Sequence, residues 1–158
     1  MDPARCVQCG AHVPERICAY CGTLARPASG VAAQLEALTE FHALLPQADP
    51  ARQKQLLTTG YFPSHWQALV EAGLQCYPLL RDGEADGVSQ VAANRLEAIA
   101  MRLRIQGNTP EAQRAIAEFE ARVKRFQRAE SRLTVIAVGV LLALVGLVIW
   151  GVVAFLRR

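Results

Sequence analysis

The chain has few of the residues that most enzyme chemistry needs. It has three histidines, two methionines and five cysteines in 158 residues, and aromatic side chains make up 6%. It contains no Walker-type phosphate loop, no His-Glu-x-x-His and no Gly-x-Ser-x-Gly, so the common routes to nucleotide, metallopeptidase and serine-hydrolase chemistry are absent. No hydrophobic stretch lies near residue 1, so no secretory signal is expected. No charged side chain occurs between Leu133 and Phe155. These absences together predict a protein that is not an enzyme.

Charge of one sign is also scarce. The net charge is +3, from 17 basic and 14 acidic residues. Residues 1–30 carry three Arg against two acids, and residues 31–110 carry six basic against eight acidic side chains. A field of this kind is too thin for phosphate-backbone binding, so nucleic acid is disfavoured as a partner. The basic excess gathers instead just before the uncharged run, at Arg122, Lys124, Arg125, Arg128 and Arg132, with Glu130 opposing them.

Four of the five cysteines crowd the N-terminus. They read Cys6-Val-Gln-Cys9-Gly10, eight residues, then Cys18-Ala-Tyr-Cys21-Gly22, so that two Cys-x-x-Cys-Gly units repeat at an offset of twelve. A two-residue spacer lets both sulfurs of one turn face one ion, and four thiolates at ~2.3 Å complete tetrahedral zinc. Glycine after the second cysteine suits a left-handed turn. Cys6, Cys9, Cys18 and Cys21 are therefore the expected ligands of one structural zinc ion. Iron in the same thiolates is the alternative metal. Redox catalysis by one Cys-x-x-Cys is the alternative chemistry, but it lacks a βαβ pattern to support it. Residues 4–24 resemble the short zinc-ribbon modules built from two rubredoxin-type knuckles. The resemblance implies a small module whose fold depends on its metal. Zinc ribbons bind protein or nucleic acid, and the thiolates on zinc cancel much of the charge of Arg5, Arg16 and Arg26, which favours protein.

After a linker at 27–30 the apolar spacing is helical. Val31, Leu35, Leu38, His42 and Leu45 form one stripe, ended by Pro46. Asp49-Pro50 reads as a cap followed by Pro at the first helical position, and Gly60 stops that helix. Ser64 is placed to cap a third helix with Trp66, Leu69, Val70, Gly73, Leu74 and Tyr77 on one face. Val88, Val91, Leu96, Ile99 and Leu103 predict a fourth, ending at Gly107. Thr109-Pro110 repeats the cap-plus-Pro signal, and Ala112, Ile116, Phe119, Val123 and Phe126 follow in a heptad seam. That seam either closes the chain's own bundle or pairs with a second copy as a homodimer. His42 reads as a core or edge residue, His65 as exposed or capping, and Cys76 as a buried small hydrophobe. The acidic loop with Asp82, Glu84 and Asp86 lacks a full calcium pattern.

Residues 133–156 form an apolar run of 24 residues, ~36 Å long as a helix and sufficient for a ~30 Å hydrocarbon layer. Five basic residues precede the run, and Arg157 and Arg158 follow it. The positive-inside rule then puts the N-terminal part in the cytoplasm, a reducing compartment where free thiolates persist.

The expected architecture is mainly α: a zinc ribbon over 1–26, the 27–30 linker and a helical domain over 31–109. A juxtamembrane helix over 110–132 completes a four- to five-helix bundle. A single transmembrane helix over 133–156 and a basic tail at 157–158 follow, making a tail-anchored, single-pass membrane protein. The expected function is a membrane-anchored adaptor offering a cytoplasmic surface to a protein partner. Two alternatives are a membrane-tethered regulator whose ribbon touches nucleic acid and an accessory subunit of a larger membrane complex. The ribbon, linked through Pro27-Ala-Ser-Gly30, is expected to share only a small interface with the helices.

Overall fold

The computed structural model describes residues 5–6, 8–13, 16–25, 28–81, 87–129 and 131. Within them five helices follow the cysteine-rich segment: α1 Val31–Leu44, α2 Pro50–Thr59, α3 Trp66–Cys76, α4 Val88–Gln106 and α5 over 110–129. Short 3-10 turns at Leu45–Gln47 and Tyr77–Leu79 extend α1 and α3. Strands are absent among the described residues, where only the isolated bridges Arg5–His12 and Ile17–Leu24 occur. No described helix is long and apolar enough to cross a membrane. The hydrophobic run 133–156 and the acidic loop 82–86 lie outside the described residues.

The helix starts follow local chemistry. Asp49 accepts the Arg52 N–H at 2.9 Å with Pro50 in the first turn, and Thr109 Oγ1 accepts the Ala112 N–H at 3.2 Å, each satisfying an otherwise orphaned donor. The third start differs from the expectation. Ser64 is not the cap; His65 is, through Nδ1. The Ser64 hydroxyl and N–H instead meet the side chain of Gln34, whose Oε1 accepts from Ser64 N and His65 N at 2.9 Å each. A buried amide on α1 therefore clasps the entry to α3.

On α1 and α3 the core faces are turned from the predicted stripes. On α1 the buried residues are Gln34, Ala37, Leu38 and Phe41, while Leu35 and His42 stand half-buried at the edge. On α3 they are Ala68, Leu69, Ala72, Gly73 and Cys76, and Leu74 faces outward. Small residues on α3 let its neighbours come close. A Cβ at Gly73 would run into the Phe119 ring of α5, so the absence of a side chain there seats that ring. The seam residues Ala112, Ile116, Phe119, Val123 and Phe126 are all buried within this one chain. Arg104 pairs with Glu120, and Gln127 donates to Glu97 at 2.8 Å, which fixes α5 antiparallel to α4.

Arg95 is the unusual member of the core, only 6% exposed. Its guanidinium donates to the carbonyls of Leu57, at 2.7 Å, and Tyr61. It also lies over the rings of Phe41, at 5.0 Å, and Phe62, at 5.3 Å. The planar fork thus satisfies the chain leaving α2 while the aromatic faces shelter its charge.

Candidate metal centre

The two Cys-x-x-Cys-Gly units build nearly the same turn twice. Cys6 N–H donates to Ala11 O at 2.8 Å and Gly10 N–H to Cys6 O at 2.8 Å; twelve residues on, Cys18 donates to Thr23 at 2.9 Å and Gly22 to Cys18 at 2.8 Å. Gly10 and Gly22 have φ of 73° and 69°, the left-handed conformation in which a Cβ is costly. The turn carries the chain away from the sulfurs and leaves both thiols of a unit on one side.

The structure brings all four predicted ligands together. Their Sγ atoms lie within 4.8 Å of one another, with Cys6–Cys21 and Cys9–Cys18 each at 3.6 Å. No disulfide joins them. Sulfurs bound at ~2.3 Å around a tetrahedral ion stand ~3.8 Å apart, so the donor set fits a four-thiolate metal site. Cys6, Cys18 and Cys21 are buried and Cys9 is exposed. Val13, with Ala11 and Ala25 beside it, shields the sulfurs in a small cluster separate from the main core.

Thr23 is a neighbour that cysteine spacing did not reveal. Its hydroxyl lies 2.9 Å from Cys21 Sγ and 3.6 Å from Cys6 Sγ. A thiolate can only accept, so the hydroxyl donates. The Thr23 hydroxyl and the backbone N–H of Cys9 hold the Cys6 thiol down to about 6, which favours the ligand form of the sulfur. The first unit has Ala11 at the corresponding place. A hydroxyl residue directly after Cys-x-x-Cys-Gly is the readable hint.

The second unit is fastened to the helices, contrary to the expected small interface. Ile17 is 2% exposed and belongs to the main core with Leu38, Phe41 and Leu56. Its N–H donates to Glu40 of α1 at 3.3 Å. Arg16 donates to Glu36 at 2.7 Å and to the Ala33 carbonyl at 3.1 Å. Arg52 of α2 donates to the carbonyl of Ala19, between Cys18 and Cys21, at 2.8 Å. Tyr61 N–H donates to Gly22 O at 2.6 Å. The expectation missed this because it weighed the short linker and the few apolar residues of the cysteine segment. One isoleucine and several polar bonds, all distant in sequence, make the joint.

The other candidates lie apart from the cysteines. His12 is exposed at the rim of the first unit. His42 lies half-buried on α1 and is held down to about 4 by desolvation and the Arg95 charge. Cys76 is fully buried, its thiol donates to Ala72 O at 3.3 Å, and burial pushes it up to about 11. It is a core residue and not a reactive thiol. Compared with protein-family models, curated proteins and solved structures, the chain matches none.

Proposed function

We propose that the chain is an adaptor held at a membrane by residues 133–156, with its zinc ribbon and helical domain facing the cytoplasm and offering a surface to protein partners. Zinc is the metal in this reading, one ion held by Cys6, Cys9, Cys18 and Cys21. Four protein sulfurs leave no open position for substrate, so the site is structural, and in this reading the chain acts by binding rather than by catalysis.

The observation that carries the reading is the fastening of the second cysteine unit to α1 and α2. A metal that ties Cys6 and Cys9 to a docked turn makes one rigid body from two pieces, and rigidity lowers the entropic cost of recognition. Two features favour a protein as partner. Met101 and Ile105, 64% and 80% exposed on α4, form an outward apolar patch beside Phe62, the kind of surface that marks contact sites. Arg16 is engaged by Glu36 and Ala33, which removes one of the few cations the ribbon could offer to a phosphate backbone.

The test uses the full chain, extracted from membranes in mild detergent after cross-linking. Elemental analysis should find one zinc per chain. A defined protein should co-purify and should be lost from Cys18→Ser. Recovery of the chain alone would overturn the adaptor reading. Recovery of salt-sensitive nucleic acid would favour the tethered regulator in its place.

A further inference from the structure

The contacts between α4 and α5 set where the helical domain stands relative to the hydrophobic run. Arg104 faces Glu120 and Glu97 faces Gln127, so both contacts obey one antiparallel register. In that register Ser131, still helical, lies opposite position 93 of α4. Val88, the first residue of α4, is five residues further along, ~7.5 Å at ~1.5 Å rise. The hydrophobic run begins at Leu133, two residues after Ser131. Two residues reach at most ~7 Å whatever their conformation. The start of the run therefore cannot lie far beyond the end of the bundle that Val88 marks, and the polar layer of a leaflet is itself ~5–7 Å thick.

The face of α5 that leads to this end carries positive charge, with Arg128 level with position 96 of α4 and Lys124 with position 100. Lys124, Arg125 and Arg128 are exposed and, with Ala121 and Ala129, line one shallow depression along α5. None of the three forms an ion pair among the described residues. They occupy helical positions i, i+1 and i+4, while Val123 and Phe126 face the core. Like charges left together on one helix face destabilise it slightly, and a layer of phosphates would reverse that effect.

We propose that this end of the helical domain sits directly on the membrane surface, where Lys124, Arg125 and Arg128 bind the phosphate headgroups of anionic lipids. The proposal rests on the reading of 133–156 as a span. The domain is then not a head on a stalk. Its orientation is fixed by lipid, and Ile105, level with position 119 of α5 in the same register, stands on the side away from the bilayer.

The experiment uses the full chain with vesicles of phosphatidylcholine alone and vesicles containing phosphatidylglycerol. Flotation with phosphatidylcholine alone tests the span; a chain that stays in solution overturns that reading and the proposal with it. For a chain that floats, association of spin-labelled phosphatidylglycerol is compared with that of spin-labelled phosphatidylcholine. At about 1 kcal/mol per cation near the surface, the anionic lipid should be preferred about tenfold or more at low salt. The preference should fall to within about twofold in Lys124→Gln/Arg125→Gln/Arg128→Gln and should weaken progressively with salt in the unaltered chain. An unaltered chain with no preference overturns the proposal and leaves the span standing. A preference removed by inorganic phosphate at constant ionic strength also overturns it, because the site would then hold free phosphate.

Discussion

The N–H of Tyr61, in the turn between α2 and α3, donates to the carbonyl of Gly22 at 2.6 Å. One bond thus joins the turn after Cys21, the fourth of the clustered cysteines, to the chain leaving α2. The same stretch is reached from the other side by Arg95, whose guanidinium takes the Tyr61 carbonyl. Gly22, Tyr61 and Arg95 form a continuous polar path from the metal centre into the core, with Phe41 packed beside it.

Gly10 and Gly22 separate backbone strain from packing. Both have positive φ, but a Cβ at Gly10 meets nothing within 4 Å, whereas one at Gly22 lies 2.7 Å from Leu56 and 3.0 Å from Phe41. Gly10→Ala should cost about 1 kcal/mol of strain. Gly22→Ala adds overpacking and should cost about 2–4 kcal/mol. Denaturant unfolding of the metal-loaded chain, followed by helicity, reads both. Equal effects would mean that the second unit is not docked.

Arg95→Lys tests the buried guanidinium. One ammonium cannot reproduce a fork that reaches two carbonyls across two rings. The loss should be about 2 kcal/mol, with Arg95→Met at about 2–4 kcal/mol because both carbonyls are orphaned. Thermal and denaturant unfolding measure it; a neutral Arg95→Met would show that the carbonyls find other partners.

Gly73→Ala should destabilise by about 2–3 kcal/mol through collision with Phe119. Substituting Phe119→Leu in the same chain should recover part of that loss, since the smaller side chain makes room for the methyl. A double-mutant cycle on unfolding free energies checks the coupling. Additive losses would mean that α5 does not pack on α3.

His42 predicts a pH dependence. The folded chain holds it down to about 4 through desolvation and the Arg95 charge, while an unfolded histidine titrates near ~6.5. Protons therefore bind the unfolded chain more readily. The stability contributed is full above about pH 6.5 and is lost as pH falls toward 4, by about 2 kcal/mol after partial screening. His42→Gln should flatten the profile within that window. A parallel fall in both chains would assign the loss to other groups.

The features legible in the sequence are those set by neighbours along the chain. Ligand spacing is local, so Cys6, Cys9, Cys18 and Cys21 converge as their pattern requires. Caps are local too, so Asp49-Pro50 and Thr109-Pro110 open helices. Heptad spacing identified the buried face of α5 because Ile116, Phe119 and Phe126 have no larger rivals nearby. The rest depends on residues far apart in sequence. Gln34 and Arg95 look like surface residues until Ser64 and Tyr61 are brought to them. On α1 the choice between Phe41 and His42 for the core was decided by the partners Arg95 and Gly60, which periodicity does not see. Ile17 contacts Glu40 across 23 positions, and nothing in the cysteine pattern announces it.

Metal removal tests the central claim, that the metal centre and the helical core form one cooperative unit. The full chain in detergent is treated with a chelator under reducing conditions, and thermal unfolding is followed at 222 nm alongside amide exchange. Loss of the metal frees the first cysteine unit, whose described residues pack only in the small cluster around the sulfurs, and loosens Ile17 and its bonds to α1 and α2. Burial of one isoleucine together with a few hydrogen bonds is worth about 3 kcal/mol, or about 10 °C in a domain of this size. The helical transition should therefore fall by about 10 °C, with faster exchange in α1 and α2 and smaller changes in α4 and α5. A helical transition that stays within about 2 °C, with unchanged exchange in α1 and α2, would contradict the account and make the cysteine centre an independent module.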